Sequence, residues 1–232
     1  MPEEKKSQKD TLAFRRKVHK NRQYYKNINW TARNVEREVQ LGLKFLNEYP
    51  NPMVTFLGGA RVLPEAQYYK LAYSTAKHLA KNGASILTGG GSGVMEAANR
   101  GAYDAGGVSL GIKAQLIKGE EVLDDIYTGA ISLHFIFVRR FLLAIESQAL
   151  VFFPGGYGTL SEFFEFLVLI KLQISDEVPL IFVNRRYWQG LIDWMHESPA
   201  KYGMVATDIK DIPNIKFAEN HEQIVRFCKE GF

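Results

Sequence analysis

Two glycine clusters carry the chemistry legible in this chain: Thr88-Gly89-Gly90-Gly91-Ser92-Gly93 and Pro154-Gly155-Gly156-Tyr157-Gly158-Thr159. Each follows a short apolar run and precedes a helical pattern, which is where open α/β sheets bind their ligands. Glycine lets backbone N–H groups approach an anion with no Cβ in the way. The N-terminus of the following helix adds unpaired donors and partial positive charge. A single turn of this kind is weak evidence, since glycine also serves simply to reverse the chain. Two in one chain point to a phosphate-bearing ligand. The amides of Gly155, Gly156, Gly158 and Thr159 are the expected cradle, with Gly89, Gly90 and Gly91 flanking it.

Neither cluster is a dinucleotide fingerprint. The first has Val94 where G-x-G-x-x-G places its third glycine, and the next strand ends in Ile112-Lys113 rather than in an acid able to hold a ribose. No G-x-x-x-x-G-K-[ST] occurs, so an ATPase loop is excluded as well. In the second cluster Thr159 and Glu162 stand three apart at a helix start. That spacing fits a capping box, with Thr159 as N-cap and Glu162 reaching back to it. It equally fits a carboxylate held beside a bound phosphate and sugar.

The elements that must position these turns alternate in a strand–turn–helix rhythm. Apolar runs at Met53–Leu57, Ala84–Leu87, Gly107–Ile112, Ala149–Phe153 and Val178–Val183 are predicted strands. Helices are predicted from near Pro64, through Ala105, over Phe137–Ser147, from Thr159 to about Gln173, over Tyr187–His196 and over Glu219–Lys229. Uninterrupted apolar strands between helices predict an α/β fold: a doubly wound, mostly parallel, Rossmann-like sheet with helices on both faces. Val35, Val39, Leu43 and Leu46 recur at helical spacing, so residues 31–49 read as a leading helix of a single domain over 31–232.

Residues 1–30 read as a flexible basic arm, with nine Lys or Arg against three acids. The remaining 202 residues hold twenty basic against twenty-two acidic side chains, so the net charge of +4 belongs to the arm. A folded part without a basic excess argues against nucleic-acid binding. The single cysteine, Cys228, permits no intramolecular disulfide and reads as buried filler. No apolar stretch approaches the ~20 residues of a membrane span, and the first thirty residues lack a signal-peptide core. A cytoplasmic protein is expected.

Pro154–Glu162 matches the PGGxGTxxE motif and resembles the lonely-guy (LOG) family of nucleoside 5′-monophosphate phosphoribohydrolases, often labelled lysine decarboxylase-like. The resemblance covers about residues 50–230. It includes Gly58-Gly59-Ala60-Arg61, Gly89-Gly90-Gly91-Ser92-Gly93-Val94-Met95-Glu96 and Phe137-Val138-Arg139-Arg140. It implies a Rossmann-like fold, a homodimer or larger homo-oligomer, and chemistry without metal or cofactor. Arg139 and Glu162 fall on the family's catalytic arginine and glutamate. Plant-like members carry a His where this chain has Phe137, a departure that concerns the base rather than the catalytic pair.

The implied reaction hydrolyses the N-glycosidic bond of a small-molecule nucleotide, AMP or a cytokinin riboside 5′-monophosphate, through an oxocarbenium-like state. That state needs negative charge near the ribose and a base to orient water, roles that suit Glu162. The fixed fork of Arg139 suits a carboxylate, phosphate or ribose. Arg140 is the better candidate for a surface ion pair. Gly58, Ser92 and Glu96 join the candidate contacts, although an acid in the first turn of a helix is equally explained by the dipole. The rival readings are a non-catalytic nucleotide-binding or sensing protein of the same fold, and a pyridoxal-dependent decarboxylase. The second is disfavoured because no lysine stands in a recognisable cofactor-anchoring context.

Overall fold

The structure, a computed structural model, describes residues 27–49, 52–115, 124–212 and 214–232. Most of the basic arm, residues 1–26, lies outside the described residues. The chain divides at Leu41/Gly42. The leading helix α1 (Ile28–Asn47) crosses that boundary and starts three residues before the predicted 31.

The unit from Gly42 onward is built on seven strands: β1 (Met53–Leu57), β2 (Ser85–Thr88), β3 (Ser109–Ala114), β4 (Gly129–Leu133), β5 (Ala149–Phe152), β6 (Leu180–Val183) and β7 (Ile215–Ala218). Every pairing is parallel, in the order β4-β3-β2-β1-β5-β6-β7. The intervening helices are α2 (Gln67–Lys81), α3 (Val94–Asp104), α4 (Ile136–Ile145), α5 (Tyr157–Lys171), α6 (Arg185–Met195) and α7 (His221–Lys229). The α/β class with helices on both faces is thus as expected.

Two of the strands were not expected. The edge strand β4 alternates between half-buried and exposed positions and buries only Leu133, and β7 at the other edge buries only Ala218 fully. Strands covered on one side only lack the continuous apolar run that marks β1, β2, β5 and β6.

Each sheet face has its own core. On one, Val54, Phe56, Ile86, Val151 and Ile181 pack with Ala72 and Leu79 of α2, Ala98 of α3 and Ile224 of α7. The small residues of α2 and α3 let those helices sit close. Cys228 belongs to this core and is fully buried, and burial pushes its thiol pKa far up. On the other face Phe152 stacks on Phe182, Phe163 of α5 meets both edge-on, and Trp188 of α6 closes the cluster. Thr55 of β1 fastens α4 there, its Oγ1 2.6 Å from Ser147 Oγ and 3.2 Å from Leu143 O. Among the described residues no helix is long and apolar enough to cross a membrane.

The chain steps outward from β1 to β4, returns to place β5 on the other side of β1, and steps outward again. Strand order therefore reverses between β1 and β5, and their carboxyl ends open a crevice.

The packing of α2 on α7 contains a titratable contact. His221 stands edge-on to His78 with ring centroids 5.0 Å apart, and its Nδ1 lies 3.1 Å from Thr75 Oγ1. Burial first, and the charge of His78 second, hold the His221 pKa below its ordinary value. The unfolded chain thus takes up the proton first as pH falls below about 6.5. The stabilisation is complete above that pH and is lost as pH falls further. The urea midpoint is expected to be lower at pH ~5.5 than at pH ~7.5, and His221→Gln should narrow the gap. An unchanged gap in the variant would place the pH dependence elsewhere.

Candidate functional site

Three strand-to-helix turns meet over the crevice. Gly59 N donates to Pro154 O (3.1 Å), which joins the turn after β1 to the turn after β5. Val94 N donates to Gly59 O (3.2 Å), and Ser92 Oγ donates to Ala60 O (2.8 Å), which joins the turn after β2 to the same centre. The two glycine clusters are thus brought together by the turn at Gly58-Gly59. Gly58 itself is wedged between Phe153 and Val94, so packing already explains its missing side chain.

Helix α5 begins at Tyr157, with Gly156 as N-cap and no side chain capping it. The capping-box reading of Thr159 and Glu162 is therefore corrected. Thr159 is the third helical residue, buried, with its Oγ1 folded against Gly155. The helix starts two residues earlier because the glycines can enter it directly. The amides from Gly156 to Thr159 have no intrahelical partner, so Tyr157 N–H joins the expected donors. The Tyr157 side chain is 92% exposed and leaves the turn open. Tyr187 OH donates to Gly155 O and steadies the turn from α6.

The glycines of this turn differ in what requires them. A Cβ on Gly155 would overlap Thr159 Oγ1. A Cβ on Gly156 or Gly158 would meet nothing within 4 Å, and neither residue has a positive φ. Among the described residues nothing demands glycine at those two positions, and their missing side chains leave the backbone open to close approach.

Arg139 and Glu162 stand on neighbouring helices, 8% and 9% exposed. Burying either charge is costly unless it is engaged, and both are engaged. Arg139 Nε donates to Ile112 O (3.0 Å), and its guanidinium fills the space a Cβ on Gly89 would take. The turn after β2 thus carries a cation on its surface. Glu162 lies in the second turn of α5, past the reach of an N-cap. Beside them Arg140 Nη1 donates to Ser161 Oγ (2.7 Å), and its Nε lies 2.8 Å from Glu165 Oε2 without hydrogen-bond alignment. This half-buried clamp holds α4 against α5 at the level of Arg139 and Glu162. Burial raises the Glu165 pKa, with the Arg140 charge offsetting part of the rise.

Glu96 is the first-turn acid of α3. Its Oε1 accepts from Arg100 (3.1 Å) and from Tyr69 OH (3.3 Å). Gly91 is buried within the turn.

A buried polar chain behind the turn escaped sequence reasoning. Gly90 N donates to Thr88 Oγ1 (2.9 Å), and the Thr88 hydroxyl donates to Asn99 Oδ1. Asn99 Nδ2 donates to Ser109 Oγ (3.0 Å) and Leu110 O (2.9 Å). A buried Asn on the apolar face of α3 was its sequence signal. A satisfied buried network of this kind rigidifies what it touches.

The glycine analysis separates folding from binding. Gly155→Ala should destabilise by about 1–3 kcal/mol, because Thr159 must move. Gly158→Ala should stabilise by up to about 1 kcal/mol, as alanine does in a compatible helical position. Thermal melts decide it, and destabilisation by Gly158→Ala would mean that the protein itself requires that glycine.

The match to known proteins begins inside the site. A family model described as "Possible lysine decarboxylase" matches residues 95–228, more than half of the chain, Arg139 and Glu162 included. The chain is 31% identical over 122 residues to the cytokinin riboside 5′-monophosphate phosphoribohydrolase LOG5 of Arabidopsis thaliana, covering 52% of this chain and 54% of that one. It therefore spans about half the length of that relative. It is 24% identical over 170 residues to the cytokinin riboside 5′-monophosphate phosphoribohydrolase of Rhodococcoides fascians, covering 66% and 85%. Among solved structures, the molybdenum cofactor binding protein of Rippkaea orientalis superposes with TM-score 0.57 at 25% identity, over 77% of this chain and 96% of that one. The molybdenum cofactor carrier protein of Chlamydomonas reinhardtii gives 0.57 at 22% identity, over 78% and 98%, a likeness of fold alone. With the family model spanning the second glycine turn and both buried charges, this chain belongs to the possible-lysine-decarboxylase family, the family of the LOG phosphoribohydrolases.

Proposed function

We propose that this chain hydrolyses the N-glycosidic bond of a nucleoside 5′-monophosphate to the free base and ribose 5-phosphate, in the cytoplasm. AMP and cytokinin riboside 5′-monophosphates are the first candidates by kinship. The observation that carries the reading is the uncapped start of α5. Among the described residues its glycines at 156 and 158 serve no internal contact, and two buried charges of opposite sign stand beside it.

In this reading the amides from Gly156 to Thr159, with Gly155 shaping the turn, hold the 5′-phosphate at the helix N-terminus. The anchored phosphate positions the ribose beside Glu162 and Arg139. As the bond from C1′ to the base nitrogen lengthens, positive charge grows on the ribose. The Glu162 carboxylate stabilises that charge and orients the attacking water, whose proton it accepts. Arg139, held by Ile112 O against Gly89, fixes the ribose or phosphate from the other side. The base leaves as the bonding pair returns to its nitrogen, which is then protonated. A non-catalytic nucleotide-binding protein is the second reading, favoured by the fold shared with a molybdenum cofactor binding protein and a molybdenum cofactor carrier protein.

We infer also that a second copy of the chain covers α5. Phe163, Phe166, Leu167 and Ile170 are buried, while Phe164, Val168 and Leu172 line an outer stripe that is 37%, 53% and 64% exposed. A contiguous apolar stripe on a helix next to the site fits an isologous interface.

Glu162→Gln is expected to lower base release by roughly two to three orders of magnitude, with little change in melting temperature. Incubation with AMP, GMP and CMP, read by chromatography for free base and ribose 5-phosphate, measures it. Retained activity with a much lower melting temperature would make Glu162 structural. For assembly, light scattering of active protein should give at least two chains, and a single-chain mass would contradict the interface.

A further inference from the structure

The end of β3 brings a second cation to the crevice. In register Gly111 pairs with Thr88, so Lys113 stands level with Gly90 in the turn after β2. Its stem lies across that turn, where a Cβ on Gly90 would come within 2.6 Å of Lys113 Cγ. Its ammonium sits over the Tyr127 ring, 4.6 Å from the centroid. The Tyr127 ring in turn lies over β3, where a Cβ on Gly111 would come within 2.6 Å of Cε1. Two glycines, one on each of two neighbouring elements, thus clear the space for one Lys–Tyr pair.

The pair is held from behind. Ser109 Oγ lies 2.7 Å from Ile126 O, and Ser109 N donates to Thr128 Oγ1 (3.0 Å), so the chain is pinned on both sides of Tyr127. Ser109 also belongs to the Asn99–Thr88 chain that fixes Gly90. Both Lys113 and Tyr127 are half-buried. A cation on an aromatic face, set by rigid neighbours, keeps a fixed address.

The strand order makes that address informative. From the turn after β5, the crevice crosses β1 and β2 before reaching β3, three strand spacings or about 14 Å. With the phosphate on α5 and the ribose beside Arg139, the base runs toward the end of β3. An ammonium donates and never accepts. A guanine-type edge offers it two acceptors, O6 and N7, whereas an adenine-type edge sets a donating amino group beside N7.

We propose that Lys113, steadied by Tyr127, reads the base and selects 6-oxopurine 5′-monophosphates over 6-aminopurine ones. This rests on the nucleotide-binding reading above and inverts the base order that kinship suggests. The test measures binding by calorimetry and base release by chromatography, for GMP and AMP, on the full chain, Lys113→Met and Lys113→Arg. The unsubstituted chain should favour GMP by about tenfold or more. Lys113→Met should bring the ratio to about one, with the loss falling mainly on GMP, and Lys113→Arg should keep the preference. Equal or better use of AMP by the unsubstituted chain overturns the proposal while leaving the hydrolase reading intact. Proportional loss of both nucleotides in Lys113→Met also overturns it, since that marks a phosphate or packing role. GMP-selective binding without base release upholds it and overturns the hydrolase instead. Binding of neither nucleotide overturns both.

Discussion

Only four residues, Phe153 to Gly156, separate the end of β5 from the start of α5. The chain must reverse within that length and enter the helix without a side chain to cap it. The first-turn amides are therefore left facing the crevice, where they need an acceptor. The rest of the site is arranged around this constraint. Gly155 lets Thr159 fold back under the turn, Tyr187 holds its carbonyl, and Pro154 O receives Gly59 N from the neighbouring strand. The sheet topology places this short exit where strand order reverses, so no neighbouring crossover covers it.

Around that turn the protein keeps two charges largely out of water. Arg139 is anchored to the end of β3 and lies on the glycine surface of the turn after β2. Glu162 rides one turn into α5. Because α4 and α5 are clamped by the Arg140 contacts with Ser161 and Glu165, the two buried groups belong to a single rigid layer. In a low-dielectric setting a fixed carboxylate acts more strongly on a developing positive charge than it would in water. The clamp also shows how differently two adjacent arginines serve. One is buried and faces the crevice, and the other is a surface tie.

The central strands were legible because burial on both faces writes a continuous apolar run. The edge strands β4 and β7 were not, since one-sided cover leaves only weak alternation over four or five residues. Both glycine turns were visible as composition, but their meeting was not, because Gly59 links them across strands distant in sequence. Thr159 and Glu162 invited a capping box by spacing alone, and the actual helix start at Tyr157 depends on glycine geometry that spacing does not carry. Glu162 stood out by its spacing from Thr159, whereas Arg139 and the pairing of the two came from family likeness. Lys113 and Tyr127 became a pair only through the register of β3 with β2 and the space left at Gly90 and Gly111.

The claim on which everything else rests is that the first turn of α5 holds a phosphate through its backbone. Phosphorus NMR of ribose 5-phosphate, titrated with the full chain and with Gly156→Ala, tests it without requiring catalysis or a particular base. A saturable shift in the unsubstituted chain, much weakened in a variant that folds at least as well, is the expected result. No saturable shift in the unsubstituted chain, or one that Gly156→Ala leaves unchanged, would contradict the phosphate cradle.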